Sequence, residues 1–563
     1  MKKFILIGSL LLAGMLISSC EQFLTENLTT DVTADNYYVT ASGYEDGVRA
    51  MYWALDRVWG SELGMTIGEL GTDFHTNGAD GSHKEWNTYN QDLSPTGDNY
   101  VFNLWWELYR AINQCNAIIA RQGDVEDIDP ATLAVRVGEA HFLRGLYYFT
   151  LVQSYGNIAL TLEETEGIEE DATQVTPIEV YDQAVIPDLE AAIAALPASQ
   201  GEYGRATKPA AEFMLAKALL TRAYLDGNNN SNASRAQSLM EGVIGNYDFE
   251  LLSTWGDLWD ITNQHNAEVI WSVQNSTNLI LNASLGSSGH RFHLYFLMEY
   301  DKLPGMTRTT EHGRPWKRAR PTRWGETLWN DDPAVDQALG TRADVRYQQG
   351  YKHVWNANNP GDYVVDDAAG NRSITINAGD TALFLPHIAV SNDFRSSKQY
   401  RVYTPDEYTE KIYPTLNKFI DPLRDNRQRT QGSRDFIMCR LADAYLIAAE
   451  AALMQGDVGT AATHINTIRQ RAARDGRETE MMISEGEVDL DYILDERARE
   501  LTGEQHRWFD LARTNTLVDR VSRHNPQAAP NISAHHRLRP IPQQQIDAVS
   551  SLGGTFSQNP GYN

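Results

Sequence analysis

Two stretches of this chain carry the residue types from which a sugar-binding surface is built. Asp73, Phe74, His75, His83, Trp86, Tyr89 and Asn90 fall in a Gly-rich stretch that leads into a helix around Trp105. Further on, Phe292, His293, Tyr295, Trp316, Trp324 and Trp329 are interleaved with Arg314, Arg318, Arg320 and Arg323. An aromatic ring offers a flat apolar face to the C–H side of a pyranose, and neighbouring Asn, Asp, His or Arg give planar partners to its hydroxyls. The residues nominated as ligand contacts are Asp73, His75, Trp86, Tyr89, Asn90, Trp316 and Trp324. The bland alternative is that loop aromatics cap cores or pack on neighbouring loops. Trp105 and Trp106, on helical spacing, are expected to be core and scaffold. The arginines suit an acidic sugar or a peptide carboxylate, but pairing with local acids is the favoured expectation.

Catalytic patterns are sparse. There is no H-E-x-x-H helix, G-x-S-x-G elbow or phosphate-binding loop. Gly286-Ser287-Ser288-Gly289 lacks the elbow's spacing and reads as a flexible turn. Asp226, Asn228 and Asn230 copy the opening of a calcium loop, but Ser231 replaces the needed glycine and Gln237 the closing glutamate. His535-His536 has no nearby carboxylate set, and no cysteine pair has zinc-ligand spacing. Carboxylate pairs at glycosidase spacing cannot be tested among 75 acids. No enzyme, no metal and no cofactor is expected.

Positioning these residues requires a substantial body. Hydrophobic content of 42% and 13 tryptophans are ample for a core. A net charge of −27 argues against nucleic acid and anionic membrane as partners. The chain opens with Lys2 and Lys3, an apolar run from Phe4 to Ile17, then Ser18-Ser19-Cys20. That run is shorter than the ~20 residues a spanning helix needs, so residues 1–19 read as a secretory signal. The end of the run resembles a bacterial lipobox, which implies fatty acids on Cys20. At ~0.8 kcal/mol per buried methylene, several chains tether a protein firmly. Residues 20–40 form the lipidated tether. Cys115 and Cys439 lie in apolar helical patterns and are expected to be small buried hydrophobes.

Helical periodicity dominates residues 41–250. Trp105, Tyr109, Ile112 and Asn116 share one face. A helix over about 132–155 presents Ala140, Leu143, Tyr147 and Leu151 and is stopped by Gly156. Pro177 opens another, ending near Pro197. In the region 431–563, Tyr445, Ala448, Ala449 and Ala452 make a small-residue face. Gly456-Asp457 turns the chain, and Ala461, Ile465 and Ile468 continue on a second helix. This spacing resembles a tetratricopeptide unit. Residues 211–225 and 233–244 look like a looser copy, expected to pack against the first. The fold class is therefore mostly α, with helix pairs and a long irregular insert, residues 251–430, carrying short strands at Val269–Val273, Tyr363–Val365 and Ile374–Ile376. Such inserts are where binding loops tend to lie.

Several segments together resemble the SusD/RagB family of Bacteroidetes surface lipoproteins. They are Ala140-His141-Phe142-Leu143-Arg144-Gly145-Leu146-Tyr147-Tyr148-Phe149 with Tyr155-Gly156, Glu496-Arg497-Ala498-Arg499-Glu500-Leu501 with His506-Arg507-Trp508-Phe509-Asp510-Leu511, Pro540-Ile541-Pro542, and the closing Gln558-Asn559-Pro560-Gly561-Tyr562. Ala498 and Thr502-Gly503 depart slightly from the family's pattern. The resemblance implies a SusD-like helical fold with tetratricopeptide units facing a SusC-type TonB-dependent outer-membrane transporter. The lipoprotein would be a hinged lid, lipid-anchored on the outer membrane and facing the exterior, that captures a glycan and delivers it to the pore. A peptide-capturing variant and a structural subunit without ligand are the alternatives. It also implies a ligand-contacting loop just before the Trp105 helix. The signature residues themselves read as structure: Glu496, Arg499 and Glu500, and Arg507 and Asp510, stand at ion-pair spacing, with Trp508, Phe509 and Leu511 as core anchors.

Overall fold

The computed structural model describes residues 34–165, 167, 172–227, 230–278, 290–329, 343–367 and 370–562. The leader, Cys20, most of the tether, Asn228 and Gly286–Gly289 lie outside them. Among the described residues, no helix is long and apolar enough to cross a membrane.

The first helices are set by their caps. α1 (Ala41–Met51) starts on Thr40, whose side chain accepts from Gly43 N, and α2 (Glu62–Glu69) starts on Ser61 in the same way. α3 (Asn99–Ala120) starts on Asp98, and α4 (Pro130–Tyr155) on Asp129 with proline in its first turn. Gly156, at φ +71°, ends α4 as its position in the sequence predicts. The helix opened by Pro177 runs through a wide turn at Tyr181–Val185 into α5 (Ile186–Ala195). Pro187 has no N–H and crowds the preceding turn, so the wide turn sits where the ladder must give.

The two helix pairs form as expected. α6 (Lys208–Leu225) and α7 (Asn230–Gly245) make the first; α8 (Leu441–Met454) and α9 (Val458–Arg471) make the second. α7 packs along α8, joining segments some two hundred residues apart. Ala448, Ala449, Ala452 and Ala461 are fully buried, so small side chains bring these backbones together. Cys115 and Cys439 are free and buried.

Strands are few and short. β1 is His75–Asn77, β2 Val269–Val273, β3 Ala319–Pro321, β4 Gly361–Asp367, β5 Gly370–Ile376 and β6 Phe436–Arg440. β2 pairs antiparallel with β6, so the insert leaves the helical body and returns to it on neighbouring strands. The hairpin of β4 and β5 packs on a separate small core with Leu297, Tyr300, Trp355 and Leu383.

The signature helix fastens this insert. On α10 (Leu490–Leu501), Glu496 accepts from Arg346 at 2.7 Å, Arg469 at 2.9 Å and Arg499 at 3.0 Å. Glu500 holds Arg440 at 2.7 Å and Arg346 at 3.0 Å, and Glu504 holds Lys418 at 2.7 Å. Arg346 and Lys418 belong to the insert, and all these carboxylates are buried. Burial raises the Glu496 pKa, but the three guanidinium groups outweigh it and hold it at about 2. The structural reading of the signature stands, with two corrections in α11 (Arg507–Arg513). Asp510 pairs with Arg497 and Arg513 rather than Arg507. Phe509 is half-buried and lines a cavity of ≈ 500 Å³ with Leu538, Pro177 and Leu225.

Candidate ligand-binding site

The two nominated stretches do meet, through their backbones. β1 pairs antiparallel with β3, placing His75 opposite Pro321 and Asn77 opposite Ala319. Gly78 N donates to Arg318 O at 3.0 Å and Asp80 N to Lys317 O at 3.1 Å, extending the contact. A Cβ on Gly78 would stand 2.3 Å from Lys317 O, so this approach requires glycine.

Their side chains mostly turn inward. Asp73 is fully buried and accepts from Arg507 at 2.6 and 2.7 Å and from Arg520 at 2.7 Å. His75 is buried with Nδ1 2.7 Å from Glu69 Oε2. Trp86 is fully buried beneath the Arg539 guanidinium, 4.7 Å from its ring, and Tyr89 donates to Gly71 O at 2.7 Å. Among the described residues, Asp73, His75 and Trp86 line no cleft, and their nomination as contacts is withdrawn; Tyr89, though buried, borders a polar groove away from Trp316. The cause is remote in sequence: the segment from Arg507 to Tyr562 covers the loop, with Asn525 Nδ2 donating to Thr72 O at 2.8 Å. Trp324 is half-buried and stacked on His524, with Arg520 5.1 Å from its ring. Asn90 closes a tight turn on Asp92 and lines a different, polar groove with Asn531 and Gln543.

Trp316 is placed differently. It is half-buried at the wall of a cleft of ≈ 330 Å³, lined also by Asp80, Arg308, Arg314 and Lys317. Its backbone is fixed by Trp316 N donating to Leu294 O at 3.1 Å and Arg318 N to Tyr295 O at 2.8 Å. Around the indole stand Arg318 at 5.3 Å, Arg291 at 5.8 Å and Tyr295 at 5.6 Å. Lys317, next in the chain, has φ +52°, a left-handed conformation that L-residues other than Asn or Asp seldom take and that clusters at functional sites. A second cleft of ≈ 210 Å³, lined by Arg57, Glu62, Tyr100, Asn103 and Arg291, adjoins through Arg291 and Tyr295.

The wall between the two clefts is electrostatic. Arg318 pairs with both Glu62 and Asp80. The loop before α3 is clamped by His83, whose Nδ1 lies 2.6 Å from Asp98 Oδ2 and whose ring stacks on Tyr100 at 4.0 Å. Burial lowers the His83 pKa, but the Asp98 hydrogen bond and charge raise it on balance. Burial and Asp98 together push Glu85 up to about 7. His83, Glu85 and Asp98 bring one ligand atom each within 4.8 Å of one another, the one such set found among the described residues. Within this set the His83–Asp98 hydrogen bond ties the loop to the residue that starts α3.

Pairing of the arginine cluster is half right. Arg318 is paired, and Arg323 reaches Asp406 at 3.1 Å. Arg314 is exposed without a carboxylate partner among the described residues, and Arg320 bonds only the Pro321 carbonyl. Sequence reasoning missed Arg291, Lys302 and Arg308; the density of cations between Arg291 and Arg323 in an acidic chain was the available signal. It also misplaced Trp106, which is 49% exposed and stacked on Phe102 at 5.7 Å. Trp105, one residue earlier, is buried as expected.

Residues 263–562 match the family model described as the SusD family, and residues 31–225 match one described as starch-binding associating with outer membrane. The chain belongs to the SusD family. SusD-like protein P25 of Formosa agariphila is 25% identical over 97% of both chains. Among solved structures, a SusD homolog from Bacteroides thetaiotaomicron is 20% identical with a TM-score of 0.71, covering 94% of this chain and 99% of its own. A laminarin-binding SusD-like protein has a TM-score of 0.67 at 21% identity, over 93% of this chain and all of its own. Surface glycan-binding protein A of B. thetaiotaomicron, solved with laminarihexaose, has the same TM-score at 20% identity, over 92% of this chain and 99% of its own. The SusD-like helical fold implied by the sequence motifs is thereby established.

Proposed function

We propose that this SusD-family protein is a cell-surface lipoprotein that captures a glycan in the Trp316 cleft and delivers it to a SusC-type outer-membrane transporter. The observation that carries the reading is the half-exposed indole of Trp316 set in a cleft of planar polar side chains. A pyranose ring meets there both surfaces it needs: an apolar face, and donors and acceptors for its hydroxyls. Several SusD-like relatives bear names of glycan-binding proteins, which supports the same reading. Attachment is read from the lipobox-like Ser18-Ser19-Cys20. Binding, not catalysis, is the role.

Affinity electrophoresis of the mature protein through gels containing a panel of polysaccharides tests the capture step. At least one polysaccharide should retard the protein saturably. Mobility unchanged by the whole panel, with retardation by peptides, would shift the assignment to peptide capture. For the partner, detergent extraction of outer membranes should bring a large transporter down with the tagged lipoprotein, and Cys20→Ser should release the protein from the membrane.

A further inference from the structure

We propose that the glycan taken by the Trp316 cleft is anionic, bearing carboxylate or sulfate groups. This rests on the reading of that cleft as the glycan site and names the class of sugar it selects. Five cationic side chains line the cleft: Lys302, Arg308, Arg314, Lys317 and Arg318. Against them stand three carboxylates, Asp80, Glu299 and Asp301. Each carboxylate is already engaged. Asp80 pairs with Arg318, Glu299 with Lys317 at 3.0 Å and Asp301 with Arg308 at 2.6 Å.

Two cations are left over. Lys302 and Arg314 are exposed at the cleft, and among the described residues neither has a carboxylate within 4.0 Å. Arg291, on the indole of Trp316, likewise has no ion-pair partner among the described residues. A chain with 75 acids against 48 bases has carboxylates to spare for every arginine. A cationic surplus in such a chain needs a local reason, and unpaired exposed cations contribute little to stability. An anionic ligand gives them a partner: a guanidinium meets a carboxylate or sulfate through two parallel hydrogen bonds. The charge of the rest of the molecule does not cancel this, because at physiological salt it is screened over about 8 Å. Trp316 in the same wall favours a saccharide over an acidic peptide, since a pyranose lays its C–H face on the ring while its acid group reaches Arg314.

The test is calorimetric titration of the mature lipidated protein in detergent with matched probes. Polygalacturonate is compared with its methyl ester, and a sulfated galactan with its desulfated form; neutral laminarin and polyglutamate complete the set. At least one anionic polysaccharide should bind about tenfold or more tightly than its neutral counterpart, and 0.5 M NaCl should weaken it. A Lys302→Ala/Arg314→Ala variant with an unchanged melting temperature should lose about tenfold affinity for that probe. Neutral glycans binding as tightly as every anionic one would overturn the proposal and leave glycan capture intact. Unchanged binding by the double variant, or tighter binding of polyglutamate than of any saccharide, would also overturn it. If no saccharide of either kind binds, glycan capture at the cleft fails as well.

Discussion

Asp73 shows how an attractive binding residue becomes a structural one. Its carboxylate is buried between Arg507 and Arg520, and although burial raises its pKa, the two guanidinium groups pull it down to about 2. Because the folded value lies below the unfolded 3.8, this group stabilises the fold above that pH. The contribution is lost as pH falls toward 2. Asp73→Ala leaves the buried Arg507 without its carboxylate and takes one of three from Arg520, and should cost about 3–5 kcal/mol in a denaturant titration. Glu85 has the opposite sign. Its pKa is raised to about 7, so its ionised form opposes folding, increasingly as pH rises from the unfolded 4.5 through 7. Glu85→Gln should therefore raise the melting temperature at pH 8 and leave it unchanged at pH 4. An equal shift at both pH values would contradict the assignment. Aromatic and charged residue types are legible one at a time, but whether each faces water is not. Trp86 and Trp316 both stand among charged and polar residues; the first lies under Arg539, more than four hundred residues on. Trp105 and Trp106 share a helix, and one residue of rotation buries the first and exposes the second.

The elements were better announced than their contacts. The end of α4 at Gly156, the helix opened by Pro177, the paired alanine-faced hairpins and the strands at Val269 and Ile374 all follow from local periodicity and turn chemistry. Gly156 makes the point quantitatively. Its φ of +71° and ψ of −107° suit glycine alone, and a Cβ there would meet Leu538 Cδ1 at 2.9 Å. Gly156→Ala should destabilise by about 1–3 kcal/mol, read as a lower denaturation midpoint with unchanged slope. No loss would mean the α4 terminus relaxes freely from the C-terminal segment. What periodicity could not announce is the tying of elements: the α10 carboxylates reach Arg346 in the insert, Glu504 just past α10 reaches Lys418, and β2 closes on β6. Those are pairings across long sequence separations, where local pattern carries no information.

At the scale of the whole molecule, a helical body holds a loop-rich insert by buried ion pairs, and the insert carries the Trp316 cleft. If the cleft is the proposed glycan site, stability and ligand capture are thereby separated. The family signature lies in the ion-pair web, and the cleft is built from residues outside it. A protein arranged this way can vary its cleft without disturbing its fold, which is consistent with about 20–25% identity to relatives that share the architecture. The separation predicts that substitutions in the cleft change binding far more than melting, whereas those in the web do the reverse. The direct measurement is calorimetry with the tightest-binding polysaccharide on wild type, Trp316→Ala and Asn90→Ala, with melting curves for each. Trp316→Ala should lose about tenfold or more in affinity while its melting temperature falls far less than that of Asp73→Ala, and Asn90→Ala binds as wild type. Wild-type affinity in Trp316→Ala would contradict the placement of the site.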